Sequence, residues 1–563
     1  MVYAGFRPRP HRSRVQPRRD PPGGSEAGGN MTNNFSAALI VDPSSAIRQA
    51  LRSALMSLDI LRVDVASSVA EARRRLVEST YNIVLCEYHL GNEESGHDFL
   101  EELRKNKALP LSTIFIMITG EASYPCVVAV AEETPDDYML KPVQTGDLTD
   151  RIRKAFTRRN ALMDIYEALH KGDDEEVLKV AQWMISNKSP YISDIVRLAS
   201  QSLFRLGRYD EATKMYRDIL AKRSLAWAKL GLSKIAIKQG DLAAAEQAML
   251  GLVEQHLLYL PVYNQLTELY QIQERYGDAL AVTEKAIKIT PRSIRRLQYA
   301  GQLAYSLGDA VKAGDFLNQA VRFKGNVVDL DYRSIFYLAL LQLDTGQTAE
   351  ASSLIKQMGA KLRADPHSSK NRCATWYGAL AQATEMIAKR ETMAVIDIMR
   401  QLADQWNQPD FDFDFALDYL RVVDRLYAAD LAETLGDWIR PLAGRFASSR
   451  YAHELMVQRV AEHPTLAEVI NLAAGEIATI TEEGARLLME EKPGEAAERL
   501  ADAGLKNYNN RLLAAAANAA ARSFQVTRDQ MDKMQVEMCL ARIYPQDDNL
   551  NQRLRMQING PGG

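Results

Sequence analysis

The stretch Tyr81–Gly91, YNIVLCEYHLG, decides how the first part of this chain is read. Ile83, Val84, Leu85 and Cys86 form a short continuous apolar run, the pattern of a strand buried on both faces of a parallel sheet. A carboxylate, Glu87, stands at its C-terminal end. In open α/β sheets that end is where ligands and chemistry are placed, so Glu87 reads as a site residue as well as a strand terminus.

The same pattern recurs on both sides. Ala37 to Val41 (AALIV) is an apolar run ending in Asp42, after which Ile47, Ala50, Leu51, Ala54, Leu55 and Leu58 recur at helical spacing. Val63 and Val65 are followed by a helical pattern over Val69 to Glu78, and Glu87 by one over Gly96 to Asn106. Then come Thr113 to Ile118 with Thr119 at the end, a helix around Val127 to Glu133, and Tyr138 to Leu140 before Lys141 and Pro142. Strands alternating with helices specify an α/β, doubly wound, five-stranded parallel sheet of flavodoxin-like type, because each parallel connection needs a crossover. Asp42, Glu87, Thr119 and Lys141 all fall at strand C-terminal ends.

The segments LIVDPSSAIR, VLCEYHLG, MITGEA and DYMLKP, in this order and spacing, resemble the receiver domain of bacterial response regulators, and place such a domain at residues 36–158. The resemblance implies a role for each position. Glu87 matches the phosphoacceptor, Asp42 the first of two acids that help hold Mg²⁺, Thr119 the switch hydroxyl, Tyr138 the switch aromatic and Lys141 the lysine that precedes proline. Two positions depart from the pattern. Pro43 stands where the second acid would be and offers no side-chain oxygen to a hard cation. Glu87 is one methylene longer than aspartate, which moves its carboxylate by about 1.5 Å. Misplacement near 1 Å costs roughly a hundredfold in rate. The expectation is a receiver with no bound metal, no cofactor and no ordinary phosphotransfer. The Glu87 carboxylate then has two readings. Reaching Lys141 or Thr119, it imitates a phosphorylated aspartate with about one negative charge where a phosphoryl group carries nearly two. Alternatively it only neutralises the buried charge of Lys141. Glu93 and Glu94 read as solvated loop residues, and Cys86 as core.

Past Arg159 the strand signals stop and a period emerges. The turns HKGDDEE, FRLGRYDEA, IKQGDLAAA, QERYGDALA, YSLGDAVKA and LDTGQTAEA place Gly172, Gly207, Gly240, Glu274, Gly308 and Gly346 at separations of 35, 33, 34, 34 and 38. Such spacing marks a helix-turn-helix repeat. Each turn after the first is followed by a small residue where two helices meet: Ala212, Ala245, Ala279, Ala313 and Ala351. Over residues 159–358 the pattern resembles tetratricopeptide (TPR) repeats, with an insertion at Lys324 to Asp329, and implies an all-α solenoid. Residues 359–523 read as a degenerate continuation, with Arg372 to Trp406 and Glu476 to Arg522 as further pairs and one or two breaks between them. FDFDF, Phe411 to Phe415, reads as a helix cap after Pro409 and Asp410. Residues 524–563 are assigned a C-terminal helix and a flexible tail, unstructured after Pro545. The segment RIRKAFTRRNALMDIYEAL, spanning the joint, contains neither Gly nor Pro and predicts one continuous helix into the first repeat.

Composition narrows the function. At 563 residues the chain exceeds one core. Its 47% hydrophobic and 25% charged residues and net charge of −3 give no reason to expect nucleic-acid or membrane partners, and no basic helix-turn-helix unit follows the receiver-like part. The four cysteines form no C-x-x-C pair, the eight histidines no H-E-x-x-H, and no run of about 18 apolar residues reads as a span. Residues 1–35, with six arginines among the first thirty, read as a disordered basic tail or as a misassigned start ahead of Met31. The expectation is a cytoplasmic, non-enzymatic signalling adaptor that binds a protein partner in the repeat groove and answers to a sensor kinase if one exists. Trp227, Tyr259, Tyr263, Tyr270 and Tyr305 line that groove or, more in keeping with their spacing, fill helix contacts. The competing reading is a conventional regulator, with Mg²⁺, whose phosphorylation controls binding by the repeats.

Overall fold

The computed structural model describes residues 37–58, 60, 62–90, 96–106, 108–120, 136–324, 330–364, 372–544 and 548–559. The tail 1–35, the loop carrying Glu93 and Glu94, the helix expected over Val127 to Glu133, and the insertion up to Asp329 lie outside the described residues, Lys324 apart.

Five strands, β1 (Ala37–Val41), β2 (Arg62–Ala66), β3 (Ile83–Glu87), β4 (Ile114–Thr119) and β5 (Asp137–Leu140), form a parallel sheet in the order β2-β1-β3-β4-β5. Helices α1 (Ser45–Met56), α2 (Val69–Glu78), α3 (Gly96–Lys105) and α4 (Thr145–Ala161) cover it. Because successive side chains on a strand point to opposite faces, each strand serves two cores. Ala38, Ile40, Ile83, Leu85, Ile114 and Ile116 pack with α1 and α4. Leu39, Val41, Val84, Cys86, Phe115 and Met117 pack with α2 and α3. Ser44 and Ser68 start α1 and α2 by accepting from the amides of Ile47 and Glu71.

Helices then follow in pairs: α5 (Met163–Lys171) with α6 (Asp174–Ser186), α7 (Ile192–Arg205) with α8 (Tyr209–Leu220), and α9 (Ala226–Gln239) with α10 (Leu242–Gln255). The series continues as α11 (Leu260–Ile272) and α12 (Tyr276–Ile289), α13 (Ile294–Ser306) and α14 (Ala310–Lys324), α15 (Tyr332–Asp344) and α16 (Thr348–Ala364), then α17 (Arg372–Ala388) and α18 (Thr392–Ala403). All six turn positions read from the sequence take left-handed backbone, Gly172, Gly207, Gly240, Gly308 and Gly346 at φ between 69° and 86° and Glu274 at 59°. The following alanines, Ala212 through Ala351, are fully buried at the helix crossings.

Two later pairs keep this device without glycine. Arg390 (φ 61°) joins α17 to α18 and is followed five residues later by buried Val395. Glu491 (φ 59°) joins α22 (Pro464–Met489) to α23 (Pro493–Asn507) and is followed by buried Ala496. Between them lie α19 (Phe413–Leu426), α20 (Ala432–Phe446) and α21 (Arg450–Arg459). Asp412 caps α19 by accepting from Phe415 N at 2.8 Å, which settles FDFDF as a helix start. The chain ends in α24 (Asn510–Thr527), α25 (Gln530–Arg542) and α26 (Asp548–Asn559).

Two expectations are corrected. The segment after Pro545 is not unstructured: α26 forms because Leu550, Leu554 and Ile558, four residues apart, bury one stripe against the last helices. The joint is not one helix: α4 ends at Leu162 (φ −105°, ψ 6°) and α5 begins beside it. The break lets Leu162 bury completely with Ile165 and Tyr166 in the first-repeat core, which a straight helix facing the sheet domain would forgo.

Candidate functional site

Strand pairing assembles the site. Val41 lies opposite Cys86, so the residues that follow, Asp42 and Glu87, emerge side by side at the C-terminal edge. Glu87 pairs with Ile118 and Thr119 with Leu140, which puts Lys141 on the same edge. Lys141 N donates to the Thr119 carbonyl at 2.8 Å.

The Lys141 ammonium reaches both acids. Nζ donates to Asp42 Oδ2 at 2.8 Å and pairs directly with Glu87 Oε2. The remaining oxygens are also taken: Ser44 N donates to Asp42 Oδ1 at 2.8 Å and His89 N to Glu87 Oε1 at 2.9 Å. Asp42 is 1% exposed and Glu87 6%. Burial works against the Lys141 charge, but the hydrogen bonds it donates to Asp42 and Glu87 more than offset that and hold the ammonium above its ordinary pKa. The Cys86 thiol behind them is pushed well up, by burial first and then by the two carboxylates.

Mg²⁺ demands near-octahedral oxygen ligation. Here each carboxylate oxygen already accepts from a protein donor, an ammonium bridges the two acids, and Pro43 supplies no ligand. The pocket as it stands thus holds no carboxylate oxygen that is not already engaged by the chain.

Thr119 is fully buried and joins this triad through its carbonyl, while Tyr138 is half-buried against the α2–α3 core. Sequence reading missed four contributors. Ser44 and His89 satisfy the carboxylates, and Arg48 donates to the carbonyls of Asp42 and Pro43 at 2.6 and 2.9 Å. Gly96 N donates to the Tyr88 carbonyl at 2.8 Å, and a Cβ at Gly96 would overlap the Glu87 carbonyl and lie 2.9 Å from Met117 Sδ. A glycine opening a helix after a site loop was the available signal.

The loop after Glu87 also touches the repeats. His89 Nδ1 lies 3.3 Å from Arg292 Nη1, which donates to it, and Arg292 sits in the turn between α12 and α13. Tyr88 and Leu90 are buried in an apolar cluster that also contains repeat residues from Leu230 to Ala473.

The second candidate surface is the inner face formed by the first helices of each pair. It closes on the chain itself. Asp418 of α19 accepts from Arg333 Nε at 2.9 Å and from the Tyr337 and Tyr377 hydroxyls at 2.6 and 3.0 Å. Tyr451 of α21 stacks on Tyr276 at 5.5 Å, and Ser449 Oγ donates to Glu274 at 2.5 Å. Between α11 and α13 a polar groove of about 470 Å³ stays open, lined by residues such as Asn264, Gln271, Arg295 and Gln298. Tyr259, Tyr263, Tyr270 and Tyr305 are buried between helices, and half-buried Trp227 packs edge-on to Tyr216.

Comparison with known proteins agrees with this geometry. Residues 38–153 match the model of the response regulator receiver domain. The KDP operon transcriptional regulatory protein KdpE of Escherichia coli is 29% identical over 131 residues, 23% of this chain and 54% of that protein. The chemotaxis protein CheY-3 of Vibrio cholerae is 25% identical over 126 residues, 22% of this chain and 95% of that protein. Thus the chain spans about half the length of KdpE. A tetratricopeptide repeat protein of Parabacteroides merdae matches at 14% identity, covering 43% of this chain and 90% of that one with a TM-score of 0.29. Residues 38–153 thus form a receiver-like five-stranded domain, and a long array of paired helices follows it.

Proposed function

We propose that this chain is an atypical two-component response regulator acting as a signalling adaptor, with a receiver held in one state by Glu87 and a repeat array that recruits a protein partner. The observation that supports it best is the saturation of the acidic pocket: all four carboxylate oxygens are satisfied within the chain, two of them by Lys141. Glu87 then supplies, permanently, part of the negative charge that a phosphorylated aspartate supplies transiently. The pocket reports by shape and contact, without turnover, in a cytoplasmic setting and without nucleic acid as a partner. His89, held by Glu87 and touching Arg292, is the route from pocket to repeats.

Partner capture from a lysate by the full chain and by Glu87→Gln tests this. Altered capture with an unchanged circular dichroism spectrum is the expected result, and unchanged capture reduces Glu87 to a structural ion pair. A second reading, phosphorylation-controlled binding under a sensor kinase, draws on the retention of Asp42, Thr119 and Lys141 at receiver positions. Incubation with acetyl phosphate and Mg²⁺ separates the two: a Glu87-dependent mass gain of one phosphoryl group establishes the second and removes the first.

A further inference from the structure

Where α21 crosses back to α12 and α13, the inner face encloses a cavity of about 70 Å³ lined by Tyr276, Tyr299, Arg333, Asp414, Tyr451 and Arg459, among others. It shares Gln271, Tyr299 and Gln302 with the open groove, so a ligand lying in the groove reaches it. At about 15 Å³ per water-sized sphere, it has room for roughly five.

Three guanidinium groups, Arg333, Arg421 and Arg459, gather around it together with the carboxylates of Glu274, Asp412, Asp414 and Asp418. Of these acids, Asp414 and Asp418 are committed to Arg333, at 2.7 Å from Nη1 and 2.9 Å from Nε. Arg421 lies against the Tyr305 ring at 4.4 Å, and Arg459 gives Nη2 to the Ser306 carbonyl at 2.6 Å. The Nε atoms of Arg421 and Arg459 and the Tyr299 hydroxyl are buried with no hydrogen-bond partner. Burial, then the neighbouring charge of Arg421, holds Arg459 below the ordinary guanidinium pKa. Buried donors and unpaired buried charge are both unfavourable, and native chains normally satisfy them with a partner.

We propose that this chamber is a binding site for a ligand bearing an oxyanion, carboxylate or phosphate, held by Arg459 Nε and the Tyr299 hydroxyl. A guanidinium edge suits the planar or tetrahedral oxygens of such a group, and enclosure strengthens each hydrogen bond. Most of the wall comes from the repeats and the rest from α19 and α21, so the ligand pins the closure of the array. Nothing in this assignment depends on the receiver pocket.

The test is thermal unfolding and calorimetric titration of the full chain with inorganic phosphate and, separately, with acetate, at ionic strength held constant with sodium chloride. At least one should raise Tm saturably, and which one identifies the oxyanion class. Arg459→Gln should weaken that binding at least tenfold and Tyr299→Phe severalfold. If Arg459→Gln does not fold, Tyr299→Phe alone decides. No saturable response to either anion overturns the proposal, as does a response undiminished in the folded variants, which marks an adventitious ion only.

Discussion

Lys141 holds two nearly inaccessible carboxylates at once, and its loss should be felt more than the loss of either acid. Removing one member of a buried ion pair leaves uncompensated charge, which costs about 3–5 kcal/mol. The Lys141 side chain is 21% exposed, so for Lys141→Met we expect about 2–4 kcal/mol in the receiver's urea unfolding transition. Glu87→Gln leaves Asp42 on the ammonium and should cost about 1 kcal/mol. The pH dependence follows from the raised lysine pKa. The bound proton stabilises the fold fully below the unfolded lysine value of about 10.4 and ceases to do so as pH rises through the higher folded value. Receiver stability should therefore hold at neutral pH and fall on the alkaline side, read as a drop in Tm that is smaller in Lys141→Met. The convergence of Asp42, Glu87 and Lys141 was legible in the sequence because strand ends lie on one edge of a parallel sheet. Ser44 and His89 were not, because they act through backbone N–H groups that carry no side-chain signature.

Element boundaries in the repeats were legible for a related reason: glycine at a left-handed helix end and alanine at a crossing are both visible one residue at a time. The two later pairs were blurred because Arg390 and Glu491 adopt the same left-handed backbone without glycine. Strain of that kind favours substitution, so Arg390→Gly should raise stability by about 0.5–1 kcal/mol in thermal unfolding. The reverse experiment is Ala313→Leu. Ala313 is fully buried where α13 meets α14, and overpacking there should cost about 1–3 kcal/mol, detected as a lowered Tm of the helical array. Helix α26 escaped the sequence reading because a polar composition hid a stripe of only three apolar residues.

At the scale of the molecule, ion pairs brace the joint across its break. Arg159 makes a bidentate contact with Asp136 at 2.6 and 2.7 Å, while Arg158 reaches Asp194 in α7 at 2.6 Å, so consecutive arginines grip one domain each. Limited proteolysis should spare residues 154–160 in the wild type and cut there in Arg159→Ala, and ready cleavage of the wild type would refute a rigid joint. The contact between His89 and Arg292, 203 residues apart, adds a second attachment. A body fastened at two points turns only about the line that joins them; any other motion must shear it or release one fastening. The repeats between Gly172 and Arg292 thus act as a spacer of set length and twist. Inserting or deleting one 34-residue unit there would carry Arg292 round the superhelix and away from His89, leaving the pocket intact but its lever disengaged.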